Sequence, residues 1–178
     1  MSTFYTITKY LTFPGAFLRA FWEHFMCKIL KIPVEDSAYL RAGEMCGHID
    51  HAFASKAFPA YTVAIMPGLL NFFCGMPIML TGVLNLRVMG ITHSDSVVLF
   101  ILYIVMAYVG ISMLCNIFPD VETVMNLWDI IFTSKKSNIF ARILTVIPSA
   151  LMYAGAYLEK FGITVILWIA VSVLLFVF

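Results

Sequence analysis

Residues Phe13–Cys27 read FPGAFLRAFWEHFMC. Apolar side chains recur there at helical spacing, and Arg19, Glu23 and His24 are set among them. Pro14 and Gly15 stand near the start, where proline is tolerated because the first amides of a helix lack intrahelical partners. Lys28 and Lys31 close the stretch, favourably placed at a helix C-terminus and long enough to reach an interface. The pattern predicts a helix over about residues 11–32. Arg19 and Glu23 are i, i+4 and share one face of it. A lone charge in an apolar span is costly, whereas a paired charge is tolerated. Three readings stay open: a buried ion pair, an arginine snorkelling at the membrane edge with Glu23 and His24 facing loop water, or a contact to an ion or substrate.

The chain around this helix sets its medium. Of 178 residues, 62% are apolar and 12% are charged. Soluble domains carry about 25% charged residues, so this chain does not have the polar surface to cover itself in water. Residues 97–118 contain no charged residue and are long enough to cross a hydrocarbon core, which takes about 20 helical residues. Residues 163–178 are equally free of charge but shorter. A formal charge of +1 excludes an electrostatic case for nucleic acid. The N-terminal stretch lacks the small-residue cleavage site of a secretory signal. Cys27, Cys46, Cys74 and Cys115 are scattered without a CxxC pair and read as buried thiols.

The fold class expected is an all-α integral membrane protein with about five membrane helices. The first of these either spans or re-enters. Residues 1–10 form a polar interfacial leader, and residues 33–57 are the most polar segment, fitting short helix better than a strand hairpin. The second helix covers about 61–83, with Pro67, Gly68, Gly75 and Pro77 expected to break it. The third covers about 96–118 and leaves at Asn116–Ile117–Phe118–Pro119. A short interfacial helix follows over 121–132, then helices over 139–158 and 162–178. Lysine and arginine alternate across the loops so as to place 33–57 and 120–140 on the cytoplasmic side, with a cytoplasmic C-terminus. One membrane domain thus covers 1–178, with a core over 11–130 and a helical pair over 139–178.

The order of motifs resembles the site-2 protease family of intramembrane zinc metalloproteases. The residues that carry it are Phe13–Pro14–Gly15 and Cys27–Lys28, Tyr39–Leu40–Arg41, Gly47–His48 to His51, Pro67–Gly68–Leu69–Leu70–Asn71, and Asn116 to Pro119 with Asn126–Leu127–Trp128. The resemblance covers about residues 11–130 and implies a bacterial plasma-membrane location. The family's first helix carries HExxH, two histidines one turn apart that bind zinc and a glutamate that acts as base. Laid on that pattern, Arg19 and Glu23 stand at the histidine positions and Ala20 at the base. The third, acidic ligand is expected near Thr123, with Asp120 and Glu122 close by. Arginine has no lone pair to give a metal, and alanine accepts no proton. The resemblance therefore implies a metalloprotease scaffold with no catalytic residues.

The leading expectation is a proteolytically inactive regulatory or accessory subunit that binds a transmembrane partner or membrane peptide in the bilayer, without cofactor. Asn116, Asp120 and Glu122 would line its cleft, although Asn116 and Asp120 equally suit the stop of one helix and the start of the next. One alternative is an active membrane metalloenzyme. His24, His48, His51, Asp50 and Glu44 hold the ligand types for zinc, with His48 and His51 at i, i+3. A second alternative is a transporter or channel subunit, which rests on intramembrane charge and broken helices and lacks internal repeats.

Overall fold

The structure is a computed structural model that describes residues 3–39, 47–52, 57–92, 96–133 and 139–178. Helix dominates. The chain begins with α1 (Thr3–Leu11) and α2 (Phe13–Ile29), joined at Thr12. Two strands follow, β1 (Val34–Ala38) and β2 (His48–His51). Then come α3 (Ala57–Thr92), α4 (Val97–Cys115), α5 (Val121–Trp128) with a π-helical turn over Asp129–Thr133, α6 (Ile139–Lys160) and α7 (Ile163–Val177). The helical architecture expected from composition is present, with one small sheet added to it.

Two helices, Ala57–Gly90 within α3 and Val97–Cys115, are long and apolar enough to cross a membrane. The α6–α7 pair passes the same test as a unit but is bent by 86°. Gly162 makes that corner with φ of +71°, a conformation glycine adopts without a Cβ clash. The described residues therefore supply two such helices, or three if the bent pair counts as one, where about five were expected.

Three local expectations change. The leader over 1–10 is helical from Thr3, and the polar segment carries a strand hairpin rather than a short helix. β1 and β2 pair antiparallel, Ser37 opposite Ile49, with an irregularity between Val34 and Asp36. Antiparallel pairing satisfies the backbone of a segment too polar to pack as a buried helix. The second membrane helix is also unbroken: α3 runs through both Pro67 and Pro77 for 36 residues. Asn71, between the prolines, donates to the backbone of two other elements.

Two apolar clusters organise the interior. One joins Ala60 and Ala64 of α3 to Val124 and Leu127 of α5, Ile131, and Met152 and Ala156 of α6. The other joins Met79 and Val83 of α3 to Ala107 and Leu114 of α4, with Trp168 and Leu175 of α7 packed against it. The polar residues gather where α1, α2, the end of α4 and the end of α6 meet.

Candidate functional site: a buried polar junction

The junction starts from close backbone packing. A Cβ on Gly15 would lie 2.0 Å from the carbonyl oxygen of Ser112, so only glycine lets α2 approach α4 this closely. The Gly15 amide donates to Ser112 Oγ at 2.7 Å, and Ser112 Oγ donates to the Thr12 carbonyl at 2.8 Å. Asn71 Nδ2 donates to the carbonyls of Gly15 and Asn116, each at 3.0 Å. Asn116 Nδ2 reaches Thr12 Oγ1 at 3.0 Å and the Ser112 carbonyl at 2.9 Å. These buried amides do for α2, α3 and α4 what apolar contact does elsewhere: in hydrocarbon a polar group left without a partner costs several kcal/mol or about that order.

Charge is built on this frame in two linked groups. Lys9 of α1 is 4% exposed. Its Nζ donates to Glu159 Oε1 at 2.6 Å and to Asn116 Oδ1 at 2.9 Å. The other carboxylate oxygen of Glu159 accepts from the Phe118 amide at 3.1 Å, at the point where the chain leaves α4. In the second group, Arg19 lies 3.7 Å from both Glu23 and Asp120. Asp120 also accepts from the Tyr5 hydroxyl at 2.8 Å. Burial first, then the charges of Asp120 and Glu159, pushes the Tyr5 phenol above its ordinary range, which keeps it a donor.

The strand hairpin closes on this second group. His51 Nε2 is 3.4 Å from Glu23 Oε1, and its Nδ1 is 3.1 Å from the Ala52 carbonyl. Both neighbours are acceptors, so the tautomer of the ring decides which of them receives its N–H. Three carboxylates, Glu23, Asp120 and Glu159, thus gather with Lys9, Arg19 and His51. Among the described residues four buried side-chain atoms have no hydrogen-bond partner, and two of them, Arg19 Nε and Asn71 Oδ1, lie in this junction.

The residues singled out in the sequence are distributed as follows. Arg19, Glu23, His51 and Asp120 come together. Asn116 joins the neighbouring Lys9 group, and Glu122 is exposed on α5. His24 points elsewhere: its Nδ1 meets the Tyr39 hydroxyl at 2.5 Å, with the two rings stacked. Asp50 is exposed on β2, the side chain of His48 lies outside the described residues, and so do Glu44 and Cys46. Cys27 and Cys115 are buried and free, while Cys74 is exposed on α3.

Lys9, Tyr5 and Glu159 were missed by sequence reasoning. Lys9 looked like an interfacial residue, and its partner is 150 positions away. The available signal was the position of Glu159, an acid at the end of an apolar helix.

The side chains on α2 do not fit a zinc ion. The two positions one turn apart carry a guanidinium and the carboxylate paired with it, and the guanidinium has no lone pair to give. Among the described residues, no group of three His, Cys, Asp or Glu side chains is placed to hold a metal. A cavity of about 590 Å³ lies far along α3, lined by Leu86, Val97, Phe100 and Phe176, and is apolar. It has no part in the junction. Compared with protein-family models, with curated proteins and with solved structures, the chain matches none.

Proposed function

We propose that this chain is a non-catalytic, metalloprotease-like membrane protein that acts by binding a transmembrane partner or membrane peptide, as a regulatory or accessory subunit. One observation supports the reading most. The Arg19 guanidinium stands between Glu23 and Asp120. The resemblance to site-2 proteases gives the positions of Arg19 and Glu23 to metal ligands and expects a third, acidic one near Thr123, three residues beyond Asp120. A fixed cation there does the structural work of a metal, drawing α2 and the Asp120 segment together, without its Lewis acidity. Ala20, fully buried, stands where a base would be needed. The five-span arrangement with a cytoplasmic C-terminus belongs to the same reading, with α2 as a spanning or re-entrant first helix whose charged face turns into protein.

The test restores the chemistry. The combined change Arg19→His, Ala20→Glu and Glu23→His should bind one zinc per chain, with Asp120 completing the set, while the unaltered protein binds none. Metal content of both, purified in detergent, reads the outcome. A well-folded triple variant that takes up no zinc would sink the scaffold assignment. Stoichiometric zinc in the unaltered protein, lost on His51→Ala, would instead establish a metalloenzyme. For the binding role, a photo-crosslinker at exposed Phe21 or Phe25 of α2 should give one discrete adduct in native membranes.

A further inference from the structure

Helix α1 is seated by its polar face. Tyr5 and Lys9 are one turn apart, and both are buried, at 8% and 4% exposure. The opposite face carries Ile7 and Leu11, each 59% exposed. Neither of the two apolar clusters contains a residue of α1. What anchors the helix is directional: Lys9 to Glu159 and Asn116, and Tyr5 to Asp120. Charge-assisted hydrogen bonds of this kind are stronger than neutral ones, and in lipid they stand in for the missing hydrophobic drive between helices.

The acceptors are also held without α1. The Asn116 carboxamide is oriented through its Nδ2 by the Ser112 carbonyl, and the Asn116 backbone carbonyl accepts from Asn71 Nδ2. Glu159 is fixed by the Phe118 amide, and Asp120 faces Arg19. The receiving side is thus a preformed pocket of two carboxylates and a carboxamide oxygen, spaced for an ammonium and a phenol on successive turns of one helix.

We propose that this pocket is a recognition site for a membrane-interface helix presenting tyrosine and lysine at i, i+4, and that α1 is its resident, displaceable occupant. The proposal rests on the partner-binding reading above and names the partner's chemistry: a segment of another membrane protein whose lysine replaces Lys9 on Glu159 and Asn116. Charge complementarity carries the choice. A buried Glu159 left by α1 must be met by another cation, which an apolar helix or a lipid tail does not supply.

The experiment uses the full chain carrying Lys9→Ala in detergent micelles, and a labelled peptide with the sequence of residues 1–12 as probe. The peptide should bind saturably. It should bind at least tenfold more weakly to the unaltered protein, whose pocket is filled, and at least tenfold more weakly when its own lysine is changed, Lys9→Met. Adding Glu159→Gln to the chain should abolish binding. Equal binding of the two peptides, or none to a folded Lys9→Ala chain, overturns the proposal.

Should Lys9→Ala fail to fold, acetylation of the unaltered protein decides. Lys9 should react more slowly than exposed Lys28, faster than the protein unfolds, and faster still with excess peptide present. Reaction of Lys9 only at the unfolding rate overturns displacement. Dimers that form by filling the pocket with a second copy's α1 overturn the choice of partner. A partner that crosslinks to α2 but is indifferent to Glu159→Gln overturns the pocket and leaves partner binding intact.

Discussion

The two ends of the α3–α4 pair are held together by different physics. Toward Met79 and Ala107 the helices meet through small residues. A Cβ on Gly110 would lie 2.3 Å from the Met79 amide nitrogen, and one on Gly82 would lie 2.4 Å from that of Ala107. Met79 itself is fully buried. That is the small-residue packing by which membrane helices gain dispersion contact. Toward Asn71 and Asn116 the same pair is bound by carboxamides, and ions surround them. The apolar end is tolerant of chemistry but not of volume. The polar end is as closely packed at Gly15 and Gly68, and in addition does not tolerate an unmatched charge. A site able to recognise something belongs to the second kind, because hydrogen bonds and charge discriminate between occupants and apolar contact barely does.

The largest expected effect tests the polar end. Lys9→Ala strands a buried carboxylate and should cost about 3–5 kcal/mol in thermal or denaturant unfolding in detergent. Adding Glu159→Gln should return most of that loss. A Lys9→Ala chain as stable as the original would erase the contrast between the two ends. At the apolar end, Gly110→Ala should cost about 1–3 kcal/mol or more by forcing the helices apart, with Lys9 still protected from acetylation. Loss of that protection would show the two ends to be one unit.

A third measurement sharpens the polar end. Arg19→Ala leaves both Glu23 and Asp120 uncompensated, so it should destabilise more than Arg19→Ala with Glu23→Ala, by about 1–3 kcal/mol. Equal stabilities would mean that the group is solvated.

The smallest effect concerns alkaline pH. The folded state keeps the Tyr5 proton above the ordinary phenol value of about 10, whereas the unfolded chain releases it. Tyr5 therefore contributes fully below about pH 10, and stability falls above it by up to about 1.4 kcal/mol per pH unit. Tyr5→Phe should flatten that part of a melting-temperature profile. An unchanged slope would place the phenol in water.

How much of this was legible follows the range of each interaction. The apolar helices announce themselves by hydropathy, and α4 lies within a residue or two of its expected start. Arg19 and Glu23 share a face by i, i+4 spacing alone, which is a local rule. The faces of α3 were not legible, because a helix apolar nearly all round carries no stripe to say which side is buried. Its two prolines looked like breaks, since nothing local reveals that Asn71 ties the segment between them to α2 and α4. The strand hairpin was hidden by polar residues that suit either geometry. Lys9 and Glu159 pair across almost the whole chain, so no sequence window contains both. The polar junction is therefore the part of the molecule least visible in sequence, although it holds most of the chemistry.

The corner at Gly162 has a mechanical consequence. Its two arms, α6 and α7, pack against different apolar clusters, and Glu159 sits three residues before the bend, its carbonyl accepting from the Gly162 amide at 2.9 Å. Glu159 thus stands at the inner end of a right-angled bracket, where α6 turns by 86° into α7. A cation seated on that carboxylate ties the corner to α1, and the Phe118 amide ties it to the exit of α4.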